Sequence, residues 1–161
     1  MTLQTPQLLA PKDGEHWSFL NTNMSVKADG RMTGGAMTII EALMPAGFGP
    51  PPHRHDVEDE FFFILEGEIL LSCAGQEATY GPGGSAFLPK GLPHRFQVWD
   101  QGPARMLQIT TPAQFEDFVK AMGESMDEFR LPAPAEPDVE KLVRIAADFQ
   151  IEILGGPPGV S

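Results

Sequence analysis

The sequence predicts an all-β body, a sandwich or barrel, with two helices appended towards its C-terminal end. Three observations predict it. Strand-forming runs of four to eight residues recur at short intervals between turn signals. Glycine and proline supply 17 and 16 of the 161 residues, more punctuation than a helical bundle tolerates. After Thr111 the hydrophobic period changes from two to that of a helix.

Residues 1 to 15 read as an arm without periodicity, closed by Asp13-Gly14. His16 to Leu20 forms a first strand, with His16 expected at the periphery. Asn21-Thr22-Asn23 and Ala28-Asp29-Gly30 mark turns. Beyond the Gly34-Gly35 bend, Met37 to Met44 is the next strand. Gly47, Gly49 and Pro50-Pro51-Pro52 then hold the backbone extended ahead of His53-Arg54-His55. A short polar turn leads to Glu60 and the strand-forming run Phe61 to Gly67. Glu60, Phe62, Ile64 and Glu66 share one face of it; Phe61, Phe63 and Leu65 share the other. Both faces are largely apolar, which fits lining on one side and a second sheet or subunit on the other.

Glu68 to Cys73, Gln76 to Tyr80 and Ser85 to Leu88 continue as short strands. The turn Pro89-Lys90-Gly91-Leu92-Pro93 delivers His94, which shares a face with Phe96 and Val98. Ala104 to Ile109 closes the strand series, with Met106 or Leu107 as candidate lining. Thr111-Pro112-Ala113-Gln114 reads as a capping box with proline at the first helical position. Phe115, Phe118, Val119 and Met122 make the apolar stripe of a helix ending at Gly123, a lid or brace against the barrel. Leu131 to Pro137 is a linker, Asp138 to Gln150 a second helix, and Ile151 to Leu154 an edge strand before the Gly155-Gly156-Pro157-Pro158 tail.

The net charge of −11 and a pI near 4.6 exclude a basic groove, so no nucleic acid is expected as partner. The single cysteine, Cys73, excludes an intrachain disulfide and a cysteine-based zinc cluster. It reads as a packed thiol, with no histidine near it in sequence to activate it. No basic leader segment opens the chain, and no apolar run approaches the ~20 residues of a membrane span. A cytoplasmic location without membrane contact is the expectation.

The chemistry concentrates in His53-Arg54-His55-Asp56-Val57-Glu58-Asp59-Glu60. Side chains two apart on a strand point the same way, so His53 and His55 converge as half a metal site. Glu60 can close on them once the chain doubles back, and His94 is a third imidazole in a glycine- and proline-framed strand. An isolated pair of this kind also occurs as surface or core filler. Only four histidines exist in the chain, so the pair is not part of a histidine-rich tract. Glu58 and Asp59 are expected to cap the turn or face solvent. Arg54 and Arg95 point away from the histidine face, towards acidic partners or a second subunit.

These residues resemble the two motifs of the cupin superfamily. Gly47, five residues, His53-x-His55, four residues, Glu60, six residues and Gly67 match the first. Gly83, five residues, Pro89-x-Gly91, two residues and His94 match the second, with fifteen residues between the motifs. The family's asparagine four residues past that histidine is Val98 here, a position that holds no metal. The resemblance covers about residues 37 to 109. It implies a double-stranded β-helix, or jelly-roll cupin barrel, over about 16–110, with a helical extension over about 111–154 packed outside, in one domain of 1–161. It also implies the metal ligands His53, His55, Glu60 and His94.

In length and layout the chain is similar to small single-domain cupins of the quercetin 2,3-dioxygenase-like group. The ligand set suits one divalent transition metal, Mn, Fe, Co, Ni, Cu or Zn, and leaves open positions for substrate. The implied activity is a dioxygenase acting on a flavonol or other enolisable aromatic or polyketide-like small molecule, with dioxygen as co-substrate. Glu60 would take the substrate's hydroxyl proton, and Phe62, Ile64, Phe96, Val98 and Met106 would wall the pocket. The same cage supports a non-oxidative isomerase, cyclase, decarboxylase or epimerase, and a non-catalytic ligand-binding cupin. The family also implies a homodimer.

Overall fold

The computed structural model describes residues 5–155. Its strands are β1 (Glu15–Phe19), β2 (Thr22–Ala28), β3 (Thr38–Met44), β4 (His53–His55), β5 (Asp59–Glu66) and β6 (Ile69–Cys73). They continue as β7 (Gln76–Tyr80), β8 (Ser85–Leu88), β9 (His94–Val98), β10 (Ala104–Thr111), β11 (Glu124–Met126) and β12 (Ile151–Ile153). The helices are α1 (Phe115–Met122) and α2 (Val139–Asp148). One sheet runs β11-β1-β2-β3-β10-β5-β8 and the other β12-β4-β9-β6-β7. From β3 to β10 the chain passes repeatedly from one sheet to the other, and every ladder is antiparallel. This is the jelly roll.

Alternation decides what lies between the sheets. Ile40, Ala42 and Met44 of β3, Phe62 and Ile64 of β5, and Ala104 and Met106 of β10 are buried inward from one side. Ile69 and Leu71 of β6 with Phe96 and Val98 of β9 meet them from the other. Each large side chain hidden this way contributes about 1.5–3 kcal/mol. β5 stops where Gly67 takes φ +79°, and a Cβ there would lie 2.7 Å from the Pro103 carbonyl oxygen. Only glycine makes that turn without strain.

The C-terminal segment braces one end of the barrel. α1 buries Phe115, Phe118 and Val119 against it, and α2 adds Leu142 and Ala146. Asp138 caps α2 by accepting the Lys141 N–H at 2.9 Å. β12 then pairs with β4, setting Ile151 opposite His55. No helix among the described residues is long and apolar enough to cross a membrane.

The structure corrects the sequence reading in three places. Asn21-Thr22-Asn23 is not simply a turn: Leu20 and Asn21 bend with positive φ, and Thr22 already begins β2. Residues 22–26 are buried on both faces, so β2 lacks the alternation that betrays a strand. Thr111 caps no helix, because β10 continues through it, paired with Asp59, and α1 begins only at Phe115. His16 is buried beneath Phe129 instead of lying at the surface. The start of the arm (residues 1–4) and the Gly156-Pro157-Pro158 tail lie outside the described residues.

Candidate metal centre

Both sheets build the site. β4 carries His53 and His55, the β4–β9 ladder places His94 opposite His53, and β5 brings Glu60 across from the facing sheet. One donor atom from each of the four lies within 4.8 Å of the other three. Donors held at about 2.0–2.2 Å from one ion lie no more than about 4.4 Å apart. Closing by tenths of an ångström would therefore seat a single ion.

Each imidazole is held from behind. His53 Nδ1 donates to the Pro51 carbonyl at 2.8 Å, and His94 Nδ1 lies 3.3 Å from the Leu92 carbonyl. His55 Nδ1 donates to Glu58 Oε2 at 2.6 Å. With the proton on Nδ1, each ring turns an Nε2 lone pair towards the centre, as a metal ligand must. Gln108 Nε2 donates to Glu60 Oε1 at 3.0 Å, which leaves Oε2 facing the rings.

That arrangement leaves two acceptors in contact. Glu60 Oε2 and His94 Nε2 are buried without a hydrogen-bond partner, and they lie 2.9 Å apart. His55 Nε2 is 3.3 Å from the same oxygen. A contact this close is relieved by a proton shared between the two atoms or by a metal ion bound between them. Three imidazoles and a carboxylate without a thiolate fit a divalent transition metal.

In the metal-free cluster the rings and carboxylates shift one another's protonation. Burial, with the neighbouring His94 charge, brings His53 down to about 4, so its ring is neutral at physiological pH. Burial would raise Glu60, but the charges of His55 and His94 outweigh it and bring the carboxyl down to about 2. His55 is raised: burial opposes its charge, and Glu60 and Glu58 on either side overcome that. Glu58 is raised by burial, partly offset by its hydrogen bond to His55.

A cavity of about 520 Å³, counting its open mouth, lies over the cluster. His53, His55, Glu60 and Gln108 are its polar lining. Phe62 and Phe96 line it as expected, joined by Phe48, Phe115, Phe118 and Pro51. Ile64, Val98 and Met106 do not line it. They sit deeper between the sheets as plain core, because the cluster occupies the layer above them.

Two supporting residues escaped the sequence reading. Glu58 neither caps the turn nor faces solvent; it is fully buried against His55. Its signal is faint, one acid among several in a polar turn. Gln108 was more legible, being a polar residue in phase with the inward Met106 of β10. Asp59 behaves as expected, accepting the Lys90 N–H at 2.9 Å near the surface. Arg54 pairs with Asp56 and Glu152, and Arg95 lies 3.7 Å from Glu77. Cys73 stands opposite His94 in the β6–β9 ladder. Burial and the Glu60 carboxylate push its thiol up, so it stays protonated beside the cluster.

Fold and site together define a jelly-roll barrel holding three histidines and one glutamate between its sheets. Residues 39–110 match the Cupin domain family. It is 23% identical over 145 residues to the quercetin 2,3-dioxygenase of Bacillus subtilis (strain 168), covering 90% of this chain and 42% of that protein. It is 34% identical over 73 residues to the dimethylsulfoniopropionate lyase DddQ of Ruegeria pomeroyi, covering 45% of this chain and 36% of that one. The chain thus spans less than half the length of either relative. Among solved structures, an RmlC-like cupin from Shewanella frigidimarina NCIMB 400 superposes with a TM-score of 0.59 at 16% identity, over 73% of this chain and 100% of that one. KdgF from Halomonas sp. gives 0.56 at 14% identity, over 63% and 91%. At such identities the likeness concerns the fold alone.

Proposed function

We propose that the protein is a metal-dependent, quercetinase-like dioxygenase acting on a flavonol or another enolisable aromatic or polyketide-like molecule. The wall of the cavity is the observation that carries this reading. Phe48, Phe62, Phe96, Phe115 and Phe118 face it, and no lysine or arginine lines it among the described residues. Such a wall suits a flat, uncharged ring and gives a phosphate or uronate nothing to bind. The alignment with quercetin 2,3-dioxygenase over 90% of the chain supports the same reading.

A divalent metal held by His53, His55, Glu60 and His94 would supply the positive charge that stabilises a substrate enolate. The protein's own part is positional. Glu60, ionised at neutral pH, accepts the proton of a substrate hydroxyl seated against it, while Gln108 fixes its other oxygen. The phenylalanines stack on the ring and exclude water. Both atoms of one dioxygen then enter the cleaved product.

A second reading is non-oxidative enolate chemistry, as in an isomerase, cyclase, decarboxylase or lyase. The 34% match to a lyase over 73 residues supports it. An oxygen electrode separates the two, using metal-loaded protein and a flavonol. The dioxygenase consumes one dioxygen per substrate and stops without air. Turnover that continues anaerobically supports the second reading. Flavonol binding without turnover, unchanged in Glu60→Gln, would make the protein a binding cupin.

A further inference from the structure

We propose that the cleft between β7 and β8 is a second entrance to the cluster, admitting dioxygen while the organic substrate fills the aromatic cavity. The entrance rests on the fold; its use by dioxygen rests on the dioxygenase reading above. β7 and β8 follow one another in the chain, yet they do not pair. Each is the last strand of its own sheet, so no ladder closes the barrel on this side. Their connection is pinned to β5: Gly83 donates to the Ile64 carbonyl and Ile64 to the Gly84 carbonyl, both at 2.9 Å. The cleft runs from near that connection to Gln76 on one edge and Leu88 on the other. Counting its open mouth it measures about 980 Å³, against about 520 Å³ for the cavity over the cluster.

The ladders fix where the cleft ends. In one sheet Gln76, Cys73, His94 and His53 stand in register, from the edge strand inwards. In the facing sheet Leu88 stands beside Glu60. Residues directly opposite in an antiparallel pair share a face, with Cβ atoms about 4.5–5.5 Å apart. Cys73 and Leu88 are therefore the neighbours of His94 and Glu60 on the β7–β8 side, and both line the cleft. A single layer of side chains parts the cleft from the cluster. The charge of Glu60 is felt across that layer, since it raises the Cys73 thiol.

Size and polarity select what passes. Facing sheets pack about 10 Å apart, and here two alanines keep the space between them open. Ala78 lies opposite Leu71 on the inward face of β7 yet is exposed, and Ala86 of β8 is half-buried. Glu77 is the one charged residue of the lining, and it stands at the rim beside Arg95. A floor of one thiol and one leucine gives an anion no partner and favours a small uncharged molecule. The two voids share no lining residue. A ring stacked on the phenylalanines thus fills one approach to the cluster and leaves the other free for a second reactant.

Cys73 is the chain's only cysteine, which makes the cleft testable. In the folded chain it should react with methyl methanethiosulfonate, and benzyl methanethiosulfonate should leave a larger plug at the same place. Ala78→Trp plugs the mouth from an exposed position, and thermal melts check that the variant is folded. Nitric oxide stands in for dioxygen: stopped flow follows its association with the iron(II)-loaded protein while flavonol saturates the aromatic cavity. Either bulky plug should slow association by roughly 10-fold or more, about 1.4 kcal/mol on the barrier, with iron content and flavonol affinity unchanged. Xenon under pressure needs neither metal nor flavonol, and it should occupy the floor between Cys73 and Leu88 in crystals of the wild-type chain. A Cys73 unreactive until the chain unfolds, or a floor empty of xenon, would overturn the proposal. So would an association rate, with flavonol bound, that is indifferent to both plugs. If the plugs slow nitric oxide but no flavonol is oxidised, the entrance stands and the dioxygenase reading fails.

Discussion

Glu58 accepts the Nδ1 proton of His55 at 2.6 Å, with both side chains sealed from solvent. The contact fixes the tautomer that turns His55 Nε2 towards Glu60 and His94. A carboxylate behind a ligating imidazole also raises its basicity, and losing such a partner typically costs 10- to 100-fold in metal affinity. Glu58→Ala is expected to weaken metal binding by about that factor in chelator competition. Glu58→Gln keeps an acceptor oxygen and recovers part of the loss. Unchanged affinity in Glu58→Ala would mean that His55 is oriented by something else.

Metal should stabilise the fold, because the unfolded chain has no preformed site. At a free metal concentration near 100 times the dissociation constant, the gain is about 2.7 kcal/mol. For a chain of this size that raises Tm by about 5–10 °C in calorimetry. His94→Ala should abolish the rise, since it removes the imidazole nearest Glu60 on the facing sheet.

Acid should destabilise the metal-free protein in two windows. His53 falls from 6.5 in the open chain to about 4 in the fold, so the unfolded state holds the extra proton between those values. Glu60 falls from 4.5 to about 2, so its stabilisation is complete above 4.5 and lost as pH drops through 2. Each contributes a slope of at most about 1.4 kcal/mol per pH unit, with stability rising as pH rises. His55 has the opposite sign: it is raised, so its contribution is present below 6.5 and fades at higher pH. Denaturant midpoints measured from pH 3 to 8 should show the upper limb flatten in His53→Gln.

Core and wall should separate by mutation. Met106→Ala empties a buried position and should cost about 2–5 kcal/mol of stability while metal affinity holds. Phe48, half-buried on the cavity wall, should behave in reverse. Phe48→Ala loses an aromatic contact worth about 0.5–1.5 kcal/mol, hence roughly 2- to 10-fold in flavonol affinity, with little change in the melt. Fluorescence titration beside a denaturant curve reads both.

The clustering of these four side chains was legible because strand geometry turns spacing into direction. His53 and His55 lie two apart, and glycine and proline turns frame them and His94. The same alternation placed the inward residues of β3, β5, β9 and β10. It failed for β2, where Asn23 and Ser25 are buried on the outer face by a segment about a hundred residues later, so both faces are covered. Glu58 was hidden for the same reason. Its burial depends on how the turn folds beneath the C-terminal helices, and nothing local in sequence records that. At Thr111 the local helix signal lost to a long-range ladder, since pairing with Asp59 keeps β10 extended. The cavity depth of Ile64, Val98 and Met106 likewise depends on the tilt between sheets, which periodicity does not carry.

Metal stoichiometry with X-ray absorption on protein purified without an affinity tag tests the central claim most directly. One divalent ion per chain is expected, ligated by three imidazoles and a carboxylate and lost from both His94→Ala and Glu60→Gln. Substoichiometric metal after reconstitution, or full occupancy in His94→Ala, would contradict the assignment of these four side chains.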